Sequence, residues 1–231
     1  MEAHLSKDFT LIKIDLPGHG KSKVYQEIHT VELMAEKVKE VIDALKLEKI
    51  NLLGHSLGGY VSLAFAEKFP EILESMTLFF STTVADDEEK KAIRTRSIAV
   101  IDENFETFVK TSIPNLFSNN EKDILEGKIE LAKNIAKSTN KEGVKAAQLG
   151  MAERPDRTEI LENLDAKILI IAGKYDNAVK TENLLKIIPE KTNIKTYVLD
   201  CGHNGHWEKP TICAEIINTE LFHNLPKHFL L

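Results

Sequence analysis

The chain has 231 residues, 42% of them hydrophobic and 29% charged, with a net charge of −6 at neutral pH. That length suits one domain with a sizeable core, and an acidic balance spread over mixed lysines and glutamates argues against nucleic acid as the main partner. No stretch reaches membrane-spanning length, the N-terminus lacks a signal-peptide core, and Cys201 and Cys213 make no disulfide framework, so a cytoplasmic protein without a membrane partner is expected.

Residues 9–15 (FTLIKID) alternate apolar and polar side chains and predict a strand, ended by the turn Leu16-Pro17-Gly18-His19-Gly20. Thr30 is a candidate N-cap for a helix to about Leu45, on which Met34, Val38, Val41, Ile42 and Leu45 recur at helical spacing. A short apolar strand over 50–53 then runs into Gly54-His55-Ser56-Leu57-Gly58, and a helix over 57–69 is closed by Pro70. Residues 75–80 (SMTLFF) read as another buried strand.

From 82 to 165 the alternation of strands and helices stops. Ile93, Val100, Ile101, Phe105, Phe108, Val109, Ile124, Leu125, Leu131 and Ile135 recur at helical intervals, punctuated at Pro114, Asn119-Asn120, Asn140 and Pro155. An all-helical insert is expected there. Strand signals resume over 167–172 (KILIIA) and 194–199, with helices near 181–188 and 210–222. Strands alternating with helices imply an α/β fold, a mainly parallel sheet covered on both faces, with core segments 1–81 and 166–231 and a helical lid over 82–165.

Gly-x-Ser-x-Gly between a strand and a helix is a nucleophile elbow, a turn that lifts one serine oxygen clear of the sheet. Side chains at Gly54 or Gly58 are expected to collide with the neighbouring strand or helix. A serine hydroxyl is a poor nucleophile unless a base takes its proton, so Ser56 needs a histidine and an orienting acid, expected in loops after later strands. Asp176 follows one such strand and His203 the next, in the chain order Ser, Asp, His. Asp165 and Asp200 lie at less suitable strand ends, and His206 is displaced from the tight turn that Gly202 supplies.

Two other patterns are weaker. Cys201, His203 and His206 lack a fourth ligand for zinc, so no metal is expected. Gly18-His19-Gly20-Lys21-Ser22 ends like a phosphate-binding loop, but Asp15 stands where that motif requires glycine and the helix starts only near Thr30.

The segments Asp15-Leu-Pro-Gly-His-Gly-Lys-Ser22, Gly54-His-Ser-Leu-Gly-Gly59, Met151-Ala-Glu-Arg-Pro-Asp-Arg157, Ile170-Ile-Ala-Gly-Lys-Tyr-Asp176 and Gly202-His-Asn-Gly-His-Trp-Glu-Lys-Pro210 span nearly the whole chain. In this order they resemble the α/β-hydrolase superfamily, specifically its small bacterial esterase and C–C-hydrolase-like branch. The resemblance implies Ser56 as nucleophile, His203 as general base and then acid, Asp176 as the acid that fixes the imidazole tautomer, and the Leu57 N–H as one oxyanion donor. It also implies an upstream strand ending in a His-Gly loop, which would stand between FTLIKID and the nucleophile strand and supply a second oxyanion donor. This sequence shows no such segment before FTLIKID, so an N-terminally truncated version of the fold with an incomplete oxyanion hole is expected.

The expected chemistry is hydrolysis of a carboxylic ester, or a related acyl bond, of a small molecule through an acyl-enzyme, with no cofactor required. His55, Phe105, Phe108, Phe117, Met151 and His206 are candidate substrate contacts under the lid; the alternative for Phe105, Phe108, Phe117 and Met151 is ordinary core, the commoner role of such residues, and for His206 it is packing, which is favoured. A homodimer is compatible with the sequence. The alternative is a catalytically impaired or non-enzymatic binding protein of the same fold, because loss of one oxyanion donor costs about 3–4 kcal/mol of transition-state stabilisation.

Overall fold

The computed structural model describes residues 1–221 and 228–230. A single 3-10 turn at Glu2–His4 precedes strand β1 (Thr10–Ile12), helix α1 (Val31–Ala44), β2 (Ile50–His55), α2 (Leu57–Lys68) and β3 (Leu73–Phe79). Four helices follow: α3 (Glu88–Ser112), α4 (Lys122–Lys137), α5 (Lys141–Glu153) and α6 (Glu159–Asn163). The chain then returns through β4 (Lys167–Gly173), α7 (Thr181–Lys186), β5 (Ile194–Leu199), α8 (Gly205–Glu208), α9 (Pro210–Leu221) and β6 (His228–Leu230).

The strands form one parallel sheet in the order β1-β6-β2-β3-β4-β5. Its two faces follow from the period-2 side-chain alternation of strands. Along β4, Ile168, Ile170 and Ala172 join the cluster under α1 and α2, whereas Leu169 and Ile171 join Phe79, Cys213, Ala214 and Ile217 on the side of α9. Both faces are thereby buried, as a parallel sheet requires.

Helix α1 shows how sequence sets an element. Val31, Met34, Ala35, Val38 and Ile42 put one stripe against the core. Thr30 Oγ1 accepts the Leu33 N–H at 3.1 Å, a cap worth about 1 kcal/mol. Helix α2 differs: eight of its twelve residues are buried, which fits its continuous run of small and apolar side chains.

Strand β6 stands between β1 and the nucleophile strand. Thr10, Leu11 and Ile12 pair with positions 228, 229 and 230, and Asn51 and Leu52 pair with 229 and 230 on the other side. Leu230 is 1% exposed. The strand equivalent to FTLIKID therefore does not pair directly with β2. Among the described residues, pairing on this side of β2 stops at Leu52.

The helical stretch between β3 and β4 breaks where its polar punctuation stands. Ile113–Leu116 and Asn119–Glu121 are 3-10 turns, and Asn140 caps α5 by accepting the Glu142 N–H at 2.9 Å. One break was not legible in the hydrophobic pattern: α3 kinks at Asn104 (φ −157°, ψ 96°), whose side chain caps the second half at Thr107 N. Helix α5 lies against the loop before α1 at backbone distance: a Cβ on Gly150 would stand 1.8 Å from the His29 carbonyl oxygen, and one on Gly143 2.0 Å from that of Gly18. At the far end of the layer, buried Arg157 binds Glu32 at 2.5 Å and Glu67 at 2.9 Å, tying it to α1 and α2. No helix among the described residues is long and apolar enough to cross a membrane.

Candidate active site

Ser56 sits at the junction of β2 and α2 with φ 52° and ψ −113°, a conformation that non-glycine residues rarely adopt and that surrounding structure must impose. Its N–H donates to the Phe79 carbonyl of β3 at 3.1 Å, and its own carbonyl accepts from Gly59 N at 2.9 Å and Ser81 Oγ at 2.9 Å. The glycine expectation is half corrected. A Cβ on Gly54 would lie 2.1 Å from the Gly58 carbonyl oxygen, but one on Gly58 meets nothing within 4 Å. The crowded partner is Gly59, where a Cβ would lie 2.4 Å from that of Ser81. The pattern places a small residue after the serine, but only the third dimension tells which glycine faces the neighbouring loop.

His203 follows β5 and is 2% exposed. Its loop is held from three directions. The Leu116 carbonyl accepts from His203 N at 3.0 Å and Asn204 N at 3.1 Å. The buried Glu208 carboxylate accepts from Gly202 N at 3.0 Å and Ser118 N at 3.2 Å. His55 Nε2–H donates to the His203 carbonyl at 2.9 Å. Glu208 and the Leu116 carbonyl escape sequence reading. Glu208 stands in the quoted Gly202–Pro210 motif, but its task becomes visible only when the 113–118 turn is folded against it.

Asp176, 7% exposed, follows β4. Its Oδ1 accepts the backbone N–H groups of Ala178 and Val179, each at 2.8 Å, which leaves Oδ2 aimed at His203 Nδ1 at 2.8 Å. A carboxylate cannot donate, so Nδ1 carries the proton and Nε2 is the acceptor. That acceptor lies 2.8 Å from Ser56 Oγ. Three side chains separated by up to 147 positions thus form one hydrogen-bonded line.

Ser56 borders two cavities. One, of about 400 Å³, is also lined by His203, Tyr60, Arg94, Phe105, Phe108 and Met151. The other, of about 620 Å³, runs along residues 52–58 and is also lined by Ile14, Leu16, Val61, Ile135 and Leu230 among others. His19 and His55 border both. Of the proposed substrate contacts, Phe117 and His206 belong to neither lining. Phe117 is fully buried with Leu125 and Ile129. His206 meets His55 edge to face with centroids 4.7 Å apart and borders a separate cavity with Met1, Phe79 and Trp207. Phe117 and His206 thus take the packing role that their sequence setting also allows.

Burial, reinforced by the neighbouring His203, pushes the His55 imidazole down to about 4, and burial with His55 beside it pushes His206 down to about 2. Both are neutral at pH 7. Burial likewise raises the Cys201 thiol well above its usual range, so it is inert as a nucleophile and packs in the core.

A family model described as the alpha/beta hydrolase fold matches residues 1–210. The chain belongs to this family. It is 28% identical over 211 residues to the 2-hydroxy-6-oxononadienedioate/2-hydroxy-6-oxononatrienedioate hydrolase of Escherichia coli (strain K12), covering 87% of this chain and 72% of that protein. A solved thermophilic esterase from Thermogutta terrifontis, with malate bound, is 32% identical with a TM-score of 0.84, over 90% of this chain and 77% of that one. The enol-lactonase of Burkholderia xenovorans LB400 shares the fold at TM-score 0.82 and 18% identity, over 90% and 79% of the two chains. These relatives make this chain a hydrolase of the esterase and C–C-hydrolase branch.

Proposed function

We propose that the protein hydrolyses a carboxylic ester of a small molecule through an acyl-enzyme on Ser56. The observation that carries this reading is the line from Ser56 Oγ through His203 to Asp176, with 2.8 Å at each step. Ser56 Oγ attacks the ester carbonyl while Nε2 takes its proton, and Asp176 stabilises the imidazolium without itself becoming protonated. The Leu57 N–H, at the first position of α2, has no intrahelical acceptor and is the donor assigned here to the developing oxyanion. The imidazolium then protonates the departing alcohol. Water, deprotonated by the same nitrogen, attacks the acyl carbonyl, and its proton returns to Ser56 as the acid leaves. Helices α3–α6 act as a lid over this chemistry.

The test is labelling with a fluorophosphonate together with turnover of 4-nitrophenyl butyrate, using Ser56→Ala as control. Labelling and turnover of the wild type alone support the reading. Equal, negligible signals from both proteins refute it.

A further inference from the structure

The 400 Å³ cavity at Ser56 is lined by two cationic side chains, Lys90 and Arg94, and by one carboxylate, Asp86. Asp86 lies in the loop between β3 and α3, and its side chain is 1% exposed. Arg154 meets it from α5's end at 2.9 Å, and Arg94 Nε donates to it from α3. Burial alone would raise this carboxyl, yet the two guanidiniums hold it below the usual range and therefore ionised.

The charges do not balance. Among the lining residues one carboxylate stands against one guanidinium and one ammonium, Arg154 adds a second guanidinium to Asp86 from outside the lining, and the remaining lining residues are neutral or histidine. Arg154 does not line the cavity: its Nη1 donates to Met151 O at 2.7 Å and its Nη2 to Val84 O at 2.9 Å, its plane lies 3.9 Å from the Tyr60 ring centroid, and its buried Nε has no hydrogen-bond partner among the described residues. Arg94 does line it. Its Nη1 donates to Gln148 Oε1 at 2.9 Å, but its Nη2 has no partner among the described residues. Lys90 is half-buried and has no ion-pair partner there either, and the Tyr60 hydroxyl that shares the cavity is likewise unpartnered. Three donors, two of them charged, thus converge on a partly desolvated space beside the nucleophile in a chain of net charge −6. Surplus positive charge in such a space is costly unless an anion answers it.

We infer that Arg94 and Lys90 form a subsite for a carboxylate carried by the substrate, on one side of the scissile bond, while the apolar 620 Å³ cavity takes the other side. The substrate class is then an ester of an acid bearing a second, free carboxylate, or of an acidic alcohol, with an apolar partner group. This deepens the hydrolase reading and rests on it for the position of the scissile bond. The subsite itself can be tested without turnover.

The experiment is calorimetric titration of the Ser56→Ala protein with monomethyl adipate and with dimethyl adipate, which differ only in the free carboxylate. A charge-assisted pair predicts that the acid binds about tenfold or more tightly than the diester. Arg94→Met and Lys90→Met, each made in the same background, should cut that preference to about threefold or less. Arg94→Met also removes one partner of Asp86, so Lys90→Met, which breaks no ion pair, guards against a folding defect. Equal affinity for the two esters, no saturable binding of the acid, or a preference that survives both substitutions overturns the inference. Failure of the hydrolase reading would register separately, as a wild type that neither labels nor turns over.

Discussion

Replacing Leu230 by alanine tests the placement of the last strand directly. Leu230 is 1% exposed, lies in register with Ile12 on one side and Leu52 on the other, and belongs to the larger core cluster. Buried Leu→Ala changes cost about 2–5 kcal/mol, the spread reflecting how much packing is lost. Leu230 also borders the 620 Å³ cavity, so part of its surface already lacks contacts, and about 2.5 kcal/mol, near the low end, is expected. With a urea m-value of about 3 kcal/mol/M for a chain of this size, the midpoint should fall by about 0.8 M. Far-ultraviolet circular dichroism across a urea series reads it, with Val198→Ala, at a 44% exposed position, as a control expected to stay within about 0.5 kcal/mol. A shift for Leu230→Ala no larger than the control's would mean that this side chain does not sit between β1 and β2.

Asp176→Asn should lower kcat by about 10⁴ with little change in fold. The Ala178 and Val179 N–H groups would hold the amide oxygen at the Oδ1 position, turning the NH₂ toward His203 Nδ1 and forcing the tautomer that cannot accept from Ser56; an unchanged kcat would exclude the relay. Acid should destabilise the fold between pH 6.5 and 4. His55 and His206, held down at about 4 and about 2, stay neutral while an unfolded chain takes up protons below about 6.5. Their stabilising contribution is complete above pH 6.5 and falls, well below that pH, by up to about 2.7 kcal/mol per pH unit for the pair. Urea midpoints from pH 7.5 to 4.5 measure it, His206→Gln should halve the slope, and a flat profile would contradict the burial of these rings. Gly58→Ala should leave the urea midpoint within about 0.5 kcal/mol of wild type, because its Cβ meets nothing. Gly59→Ala should cost about 1–3 kcal/mol by displacing Ser81; equal effects would place the elbow's crowding elsewhere.

Much of this was legible before folding because local chemistry and global position agree. The strand over 194–199 coincides with its predicted span, and Thr30 caps α1 as its residue type suggests. Ser56, Asp176 and His203 could be singled out because each follows a strand, and a parallel sheet delivers the ends of its strands to one edge. What stayed hidden depends on pairing across long separations. The segment at 228–230 carries no alternation, and only its fit between β1 and β2 makes it a strand. Arg94 looks like one more helix-surface cation until Asp86 and Gln148 anchor it at the cavity wall. Phe117 could be pocket or core from its sequence, and its environment is that of core.

One consequence follows from the way the His203 loop is suspended. The same Leu116 carbonyl that steadies His203 and Asn204 belongs to the turn ending α3, and Glu208 staples Gly202 to Ser118 just beyond it. Ile113 and Leu116 of that turn also wall both chambers beside the serine. The chamber walls and the imidazole therefore hang on a common bracket, so a displacement of this turn would reshape both chambers and shift the base from its serine at once.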